Sequence, residues 1–178
     1  NVTRALLLMV ILTATRSGEA RGMRWAEIDF HKRIWTIPAE RMKARIQHRV
    51  PLSRQAIHVL ENIRGLHDEL VFPSPRKQQI LSDMVLTSFL RKKKAISDIP
   101  GRVATAHGFR STFRDWCSEQ GYSRDLAERA LAHTLKNKVE AAYHRTDLLD
   151  QRIPMMQAWA DYLDGLRNTQ QKRSKEEV

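Results

Sequence analysis

The 178-residue chain predicts a mainly α-helical domain with a small three-stranded antiparallel β-sheet, on three observations. Apolar residues recur at helical spacing over most of the length. Short runs rich in β-branched and aromatic residues are confined to the stretch from Ile28 to Leu52. A hydrophobic content of 42% with 7 Gly and 6 Pro is enough to bury a core without metal or disulfide staples. One globular domain over residues 1–166 is therefore expected, followed by a disordered charged tail over 167–178 that lacks apolar side chains until its final Val178.

The elements follow in order. Residues Thr3 to Thr15 read as a buried helix, and Ser17 followed by Glu19 can cap a second, short one ending near Trp25, with Arg16 at the junction. Ile28-Asp29-Phe30, Ile34-Trp35-Thr36-Ile37 and Arg49-Val50-Pro51-Leu52 are the three strands. Ser53 caps a helix whose Ala56, Ile57, Leu60 and Ile63 share a face, and Gly65 stops it. Ser82 starts another, carrying Val85, Phe89 and Leu90 and ending in the basic run Arg91-Lys92-Lys93-Lys94, before Pro100 and Gly101 break the chain.

From Thr105 a helix presents Phe109, Phe113, Trp116 and Cys117 on one face and closes at Gly121; Ser123 caps the next, with Leu126, Ala130 and Leu131 inward. The segment from Asp147 to Leu166 is amphipathic through Leu148, Ile153, Met156, Trp159, Tyr162 and Leu163, despite Pro154 near its start. The four tryptophans fit core or hairpin packing, Tyr122 fits helix-entry packing, and His31, His48, His58, His67 and His144 show no metal-ligand spacing and read as surface residues.

Composition narrows the function classes. With 31 Lys and Arg against 20 Asp and Glu, the net charge is +11 and the pI near 10.3, which favours a polyanionic partner such as nucleic acid or an anionic membrane surface. The apolar run Ala5 to Leu12 is about half the length that spans a bilayer. Cys117 stands alone, which suits a reducing compartment and a cytoplasmic location. Asn1 in place of an initiator Met, with the core pattern starting at once, points to a piece of a longer protein.

Chemistry concentrates in three places: His107-Gly108-Phe109-Arg110, Leu131-Ala132-His133, and Tyr143. Breaking a phosphodiester without a metal needs cations on the non-bridging oxygens, a nucleophile, and an acid for the leaving alkoxide. Arginine suits the first task, because its planar fork donates two parallel hydrogen bonds and stays charged. Arg16 and Arg110 are the candidates. A phenol has a pKa near 10, so about one in a thousand is ionised at neutral pH, and neighbouring cations would raise that fraction for Tyr143.

Thr13-Ala14-Thr15-Arg16-Ser17-Gly18-Glu19 resembles the first arginine box of the tyrosine recombinases. His107-Gly108-Phe109-Arg110 resembles their His-x-x-Arg box, Leu131-Ala132-His133 their Leu-Gly-His segment, and Tyr143 their nucleophile. The hairpin with Met42-Lys43-Ala44-Arg45 and Val50-Pro51-Leu52-Ser53 resembles the one that carries the family's catalytic lysine. Ala132 in place of Gly, and Met155-Met156-Gln157-Ala158-Trp159-Ala160 near the end, are similar to the P4-like branch of phage integrases. Two departures stand out: Phe109 and Ser111 occupy positions where Leu and His are common, and the gap from His133 to Tyr143 is a residue longer than in many relatives.

The resemblance implies that Tyr143 attacks a scissile DNA phosphate, giving a 3′-phosphotyrosyl link and a free 5′-hydroxyl. Arg16, Arg110, His107 and His133 would cradle the phosphate, Glu19 would support Arg16, and Lys43 would protonate the leaving oxygen, with neither metal nor cofactor. It also implies double-stranded DNA attachment sites as partner, a homotetramer on DNA and a monomer for the isolated domain, with an N-terminal DNA-clamping domain outside this fragment. Other readings of single features stay open. A non-catalytic DNA-binding module would need no more than the charge and the helices, and a type IB topoisomerase shares the chemistry without synapsis. Arg91, Lys92, Lys93 and Lys94 either contact phosphates or form a solvated face. The segment after Tyr143 packs in cis or on a neighbouring protomer.

Overall fold

The computed structural model describes residues 1–134 and 146–176, with side chains through residue 172. Helix α1 (Val2–Thr13) opens on Asn1, whose side chain accepts from the Arg4 N–H, and runs through the centre of the molecule with Ala5, Leu6, Met9, Val10 and Leu12 buried. Helix α2 (Ser17–Arg21) is capped by Arg16 rather than Ser17 and ends four residues before Trp25, which instead opens a 3-10 turn. Strands β1 (Ile28–Asp29), β2 (Ile34–Ile37) and β3 (His48–Pro51) form the expected antiparallel sheet in the order β1-β2-β3, with Trp35 opposite both Ile28 and Val50.

Helix α3 (Arg54–Ile63) is capped by Ser53, whose hydroxyl accepts from the Ala56 N–H, and its Ala56, Leu60 and Ile63 pack toward α1. Helix α4 (Val85–Lys92) starts later than expected: the Ser82 hydroxyl accepts from the Met84 N–H two residues on, a turn bond that precedes the helix. Helix α5 (Ala106–Glu119) starts where expected, capped by Thr105, and helix α6 (Arg124–Ala130) carries the predicted cap, Ser123. Helix α7 (Leu149–Glu176) continues through Pro154, which has no N–H to return to the Asp150 carbonyl.

The core has two parts that meet along α1. One lies among α1, the sheet and α3, where Trp35, Ile37, Leu60 and Phe72 are buried; the other lies among α5, α6 and α7, around Phe113, Trp116, Met155 and Trp159. Burying a side chain such as Phe113 contributes about 2 kcal/mol. The Trp159 indole N–H donates to the Ile11 carbonyl at 2.8 Å, satisfying its polar atom while joining α7 to α1. Cys117 is fully buried in this second part, and burial pushes its thiol up to about 12, as befits an inert apolar filler.

Three sequence expectations change here. The inward stripe of α7 is Arg152, Met155, Met156, Trp159 and Ala160, so Ile153 (44% exposed) faces outward, while Tyr162 (42%) lies at the stripe's edge with its ring against Trp116 and Trp159; the apolar pattern misses the buried arginine that holds one position of the stripe. The helix also runs on past Leu166, where disorder is expected, since Arg, Gln, Lys and Glu extend an already nucleated helix at little cost. His48, expected on the surface, is buried at the start of β3. Among the described residues no helix is long and apolar enough to cross a membrane.

Candidate active site

A tight corner between α1 and α2 presents Arg16. The Thr13 hydroxyl donates to the Met9 carbonyl (2.7 Å) and lies 2.8 Å from Thr15 Oγ1, while Ala14 between them takes a φ of 54°. That left-handed conformation costs an L-residue about 1 kcal/mol, and it turns the chain sharply enough to make Arg16 the first cap of α2. The Arg16 N–H donates to Glu19 Oε2 at 2.9 Å and its Nη1 to Oε1 at 3.0 Å. One buried carboxylate thus caps the helix and fixes the guanidinium, which stays about one third exposed.

Arg110 rises from the first half of α5 and is 3% exposed. Its Nη2 donates to the Leu131 carbonyl just beyond α6, whereas its Nε and Nη1 are buried without a hydrogen-bond partner. Burial first, and then the nearby charge of Arg16, hold the Arg110 guanidinium down to about 10; Glu19 and Glu128 act in the opposite direction. Two cations side by side, one with buried and unsatisfied donors, are unfavourable alone and favourable around an oxyanion. A phosphate suits the pair chemically, since each planar fork can donate to a non-bridging oxygen.

His107 lies in the first turn of α5, three residues before Arg110 and on the same helix face, and is exposed. Thr105 Oγ1, which accepts from the Gly108 N–H at 3.0 Å, starts the helix there; a Cβ on Gly108 would sit 3.2 Å from that oxygen. His133 follows α6 through Ala132, whose φ of 50° is again left-handed. Its ring is about one third exposed, with Nδ1 at 2.5 Å from Glu128 Oε2, so it is not a core histidine.

The structure brings Arg16, Glu19 and Arg110 together and ties the His133 segment to them through the Leu131 carbonyl. Lys43 lies in the turn between β2 and β3, where it is exposed and its side chain makes no hydrogen bond or ion pair among the described residues. Its neighbours differ: Arg41 is engaged by Glu27 and the Glu19 carbonyl, and Arg45 by the Glu40 carbonyl. Arg91, Lys92, Lys93 and Lys94 are exposed at the end of α4, with the Lys93 ammonium 5.9 Å from the centre of the Phe89 ring. Tyr143 lies outside the described residues.

Sequence reasoning missed three polar residues around this site. Glu128 contacts His133 and pairs with Arg114, which follows Arg110 by one helical turn; the signal was the spacing of four between the two arginines. The charges of Arg152 and Arg110 both act on His48, as does the backbone of Ala130, which favours its protonated form. Burial, and next the charge of Arg152, push the His48 ring down to about 3, so it is neutral at physiological pH.

A helical fold around an arginine pair of this kind defines the class: residues 1–148 match the phage integrase family, and the chain belongs to it. It is 43% identical to the prophage integrase IntA of Escherichia coli (strain K12) over 89% of its length, covering 38% of that protein. To the integrase of Enterobacteria phage P4 it is 39% identical over 94% of its length, covering 41% of that protein, in line with the expected P4-like branch. The chain therefore spans about two fifths of these relatives. Among solved structures, a lambda integrase dimer bound to a COC′ core site has the same fold, with a TM-score of 0.58 and 23% identity, covering 82% of this chain and 52% of that one.

Proposed function

We propose that residues 1–166 are the catalytic domain of a site-specific DNA recombinase that integrates or excises a phage or genomic island. The observation that carries this reading is the Arg16 and Arg110 pair, with two Arg110 nitrogens buried and unsatisfied beside a second cation. A DNA phosphate meets that requirement, and the +11 charge favours the polyanion that contains it. The lambda integrase relative, seen as a dimer on its core site, supports double-stranded DNA as the partner.

In this reading Tyr143 Oη bonds to the scissile phosphorus as the bond to the 5′-oxygen breaks, and Lys43 gives that oxygen its proton. Arg16 and Arg110 neutralise the non-bridging oxygens, His107 completes the cradle, and His133 handles the phenol proton. The 5′-hydroxyl of a partner strand later attacks the phosphotyrosine, so the bond energy is conserved and no nucleotide cofactor is consumed. Four copies assembled on two DNA sites would supply the four cleavages of a full exchange, and the cytoplasm of a bacterial host is where such DNA lies. The test is a suicide DNA substrate carrying a cognate site, applied to the full-length protein. The wild type should form a denaturation-resistant adduct and Tyr143→Phe none; no adduct, or equal adduct from both, defeats the proposal.

A further inference from the structure

Arg41 has no part in the strand transfer set out above, yet all three of its guanidinium nitrogens are engaged. Nε donates to Glu27 Oε1 at 3.0 Å and Nη2 to Oε2 at 2.6 Å, a two-pronged pair whose side chains are 22% and 10% exposed. Nη1 donates to the Glu19 carbonyl at 3.0 Å. Unlike Arg110, it has no nitrogen left without a partner. Gly22 leaves the room for this: a Cβ there would lie 2.4 Å from Arg41 Nη1 and 3.4 Å from Cζ, inside the space that the held guanidinium occupies.

Arg41 ends the 3-10 turn Ala39–Arg41, and Lys43 follows two residues later. Between them Met42 is buried; its carbonyl accepts from the Arg45 N–H at 3.1 Å, and Arg45 Nη1 donates to the Glu40 carbonyl at 3.0 Å. The Lys43 side chain is unengaged among the described residues, while the backbone that carries it is pinned on both sides. At the far end of the Arg41 contact stands Glu19, whose carboxylate holds Arg16. One residue therefore grips the phosphate-facing arginine by its side chain and the Lys43 turn by its carbonyl. We infer that Arg41 is a positioning residue that sets the Lys43 turn at a fixed place relative to Arg16, with Gly22 kept small to admit it. The consequence rests on the proposed recombinase reading: as the bond from phosphorus to the 5′-oxygen breaks, its electron pair stays on oxygen, and the Lys43 ammonium supplies the proton only when its turn is held within reach.

The test is single-turnover cleavage by the full-length protein on two cognate DNA substrates, one natural and one with sulfur bridging the scissile phosphorus and the 5′-carbon. A thiol has a pKa of about 8.5, so sulfur leaves as the thiolate and needs no acid. Arg41→Met and Gly22→Ala should slow adduct formation on natural DNA about 10- to 100-fold at unchanged DNA affinity, and sulfur should restore both, and Lys43→Ala with them, to near the wild-type rate. Arg110→Met should stay slow on both substrates. Gly22 has a φ of −86°, which alanine adopts without strain, so the effect of Gly22→Ala comes through Arg41 and should vanish in the Arg41→Met background. Wild-type rates in Arg41→Met and Gly22→Ala, or slowing that sulfur does not mend, overturn the inference; should Arg41→Met fail to fold, Gly22→Ala alone decides. Without DNA, the amides of residues 42–46 should exchange faster in Gly22→Ala than in wild type, and unchanged exchange also overturns it. Absence of adduct from wild type, or a Lys43→Ala defect that sulfur leaves in place, would instead defeat the recombinase reading of the site and leave the exchange result standing.

Discussion

Arg110 and Arg152 are both buried guanidiniums, 3% and 1% exposed, each held down to about 10 chiefly by burial, and they differ in how far their donors are met. Arg152 Nη2 donates to the Arg49 carbonyl at 2.7 Å and its Nη1 to the Asp147 carbonyl at 3.4 Å. The Asp147 carboxylate acts on it favourably, and that carboxylate is itself forked by Arg49 at 2.7 Å on both oxygens. Arg152 thereby joins β3 to the start of α7. Arg110 has one carbonyl and two unsatisfied nitrogens, where Arg152 has two carbonyls and one unsatisfied nitrogen, Nε; cations act on both, Arg16 on the first and Arg49 and Arg129 on the second. The difference lies in how many buried donors are met: Arg152, with two carbonyls, is tied into the fold, and Arg110, with two donors left over, is the one with capacity for the proposed ligand.

The largest effect should come from removing the ligand-facing arginine. Arg110→Met should slow covalent adduct formation on a cognate DNA site by about 100- to 1000-fold, the cost of losing one oxyanion donor, measured by single-turnover cleavage. Arg152→Met should cost about 2 to 3 kcal/mol in denaturant unfolding, because it strips the Arg49 carbonyl of its buried donor. Equal sensitivity of adduct formation to both changes would erase the contrast.

His48, which stands between the two arginines electrostatically, gives a pH test. Its ring is near 3 in the folded chain and 6.5 when unfolded, so the unfolded state binds the extra proton between those values. Stability should therefore be complete above pH 6.5 and fall on acidification, with a slope approaching about 1.4 kcal/mol per pH unit and a loss of roughly 2 kcal/mol by pH 5. His48→Gln should flatten that limb of the unfolding profile. The smallest effect concerns Ala132: with φ at 50°, Ala132→Gly should raise the unfolding free energy by about 0.5 to 1 kcal/mol, and a loss would show that its methyl packing outweighs the backbone strain.

What was legible in the sequence follows from which signals are periodic or local. Ser53, Thr105 and Ser123 each bond to an N–H three residues on, so the starts of α3, α5 and α6 could be read from cap residue and apolar spacing alone. The arginine pair was legible through the order of its boxes. Arg152 and His48 were not, because a buried polar residue looks like a surface one until its long-range partners, Arg49 in one case and Ala130 in the other, are placed. Glu128 was missed for the same reason: five residues from His133, beyond one helical turn, it gives no pattern until α6 ends and the chain folds back. Helix α7 outran its expected end because propensity, rather than burial, sustains it.

Whether Arg110 is held for a ligand and not for the fold is tested most directly by equilibrium unfolding of Arg110→Met without DNA. Loss of the Leu131 bond should be offset by release from the Arg16 charge and from the cost of burying an unsatisfied cation, leaving stability within about 1 kcal/mol of wild type or above it. A fall as large as that of Arg152→Met would make Arg110 a structural residue and contradict the account.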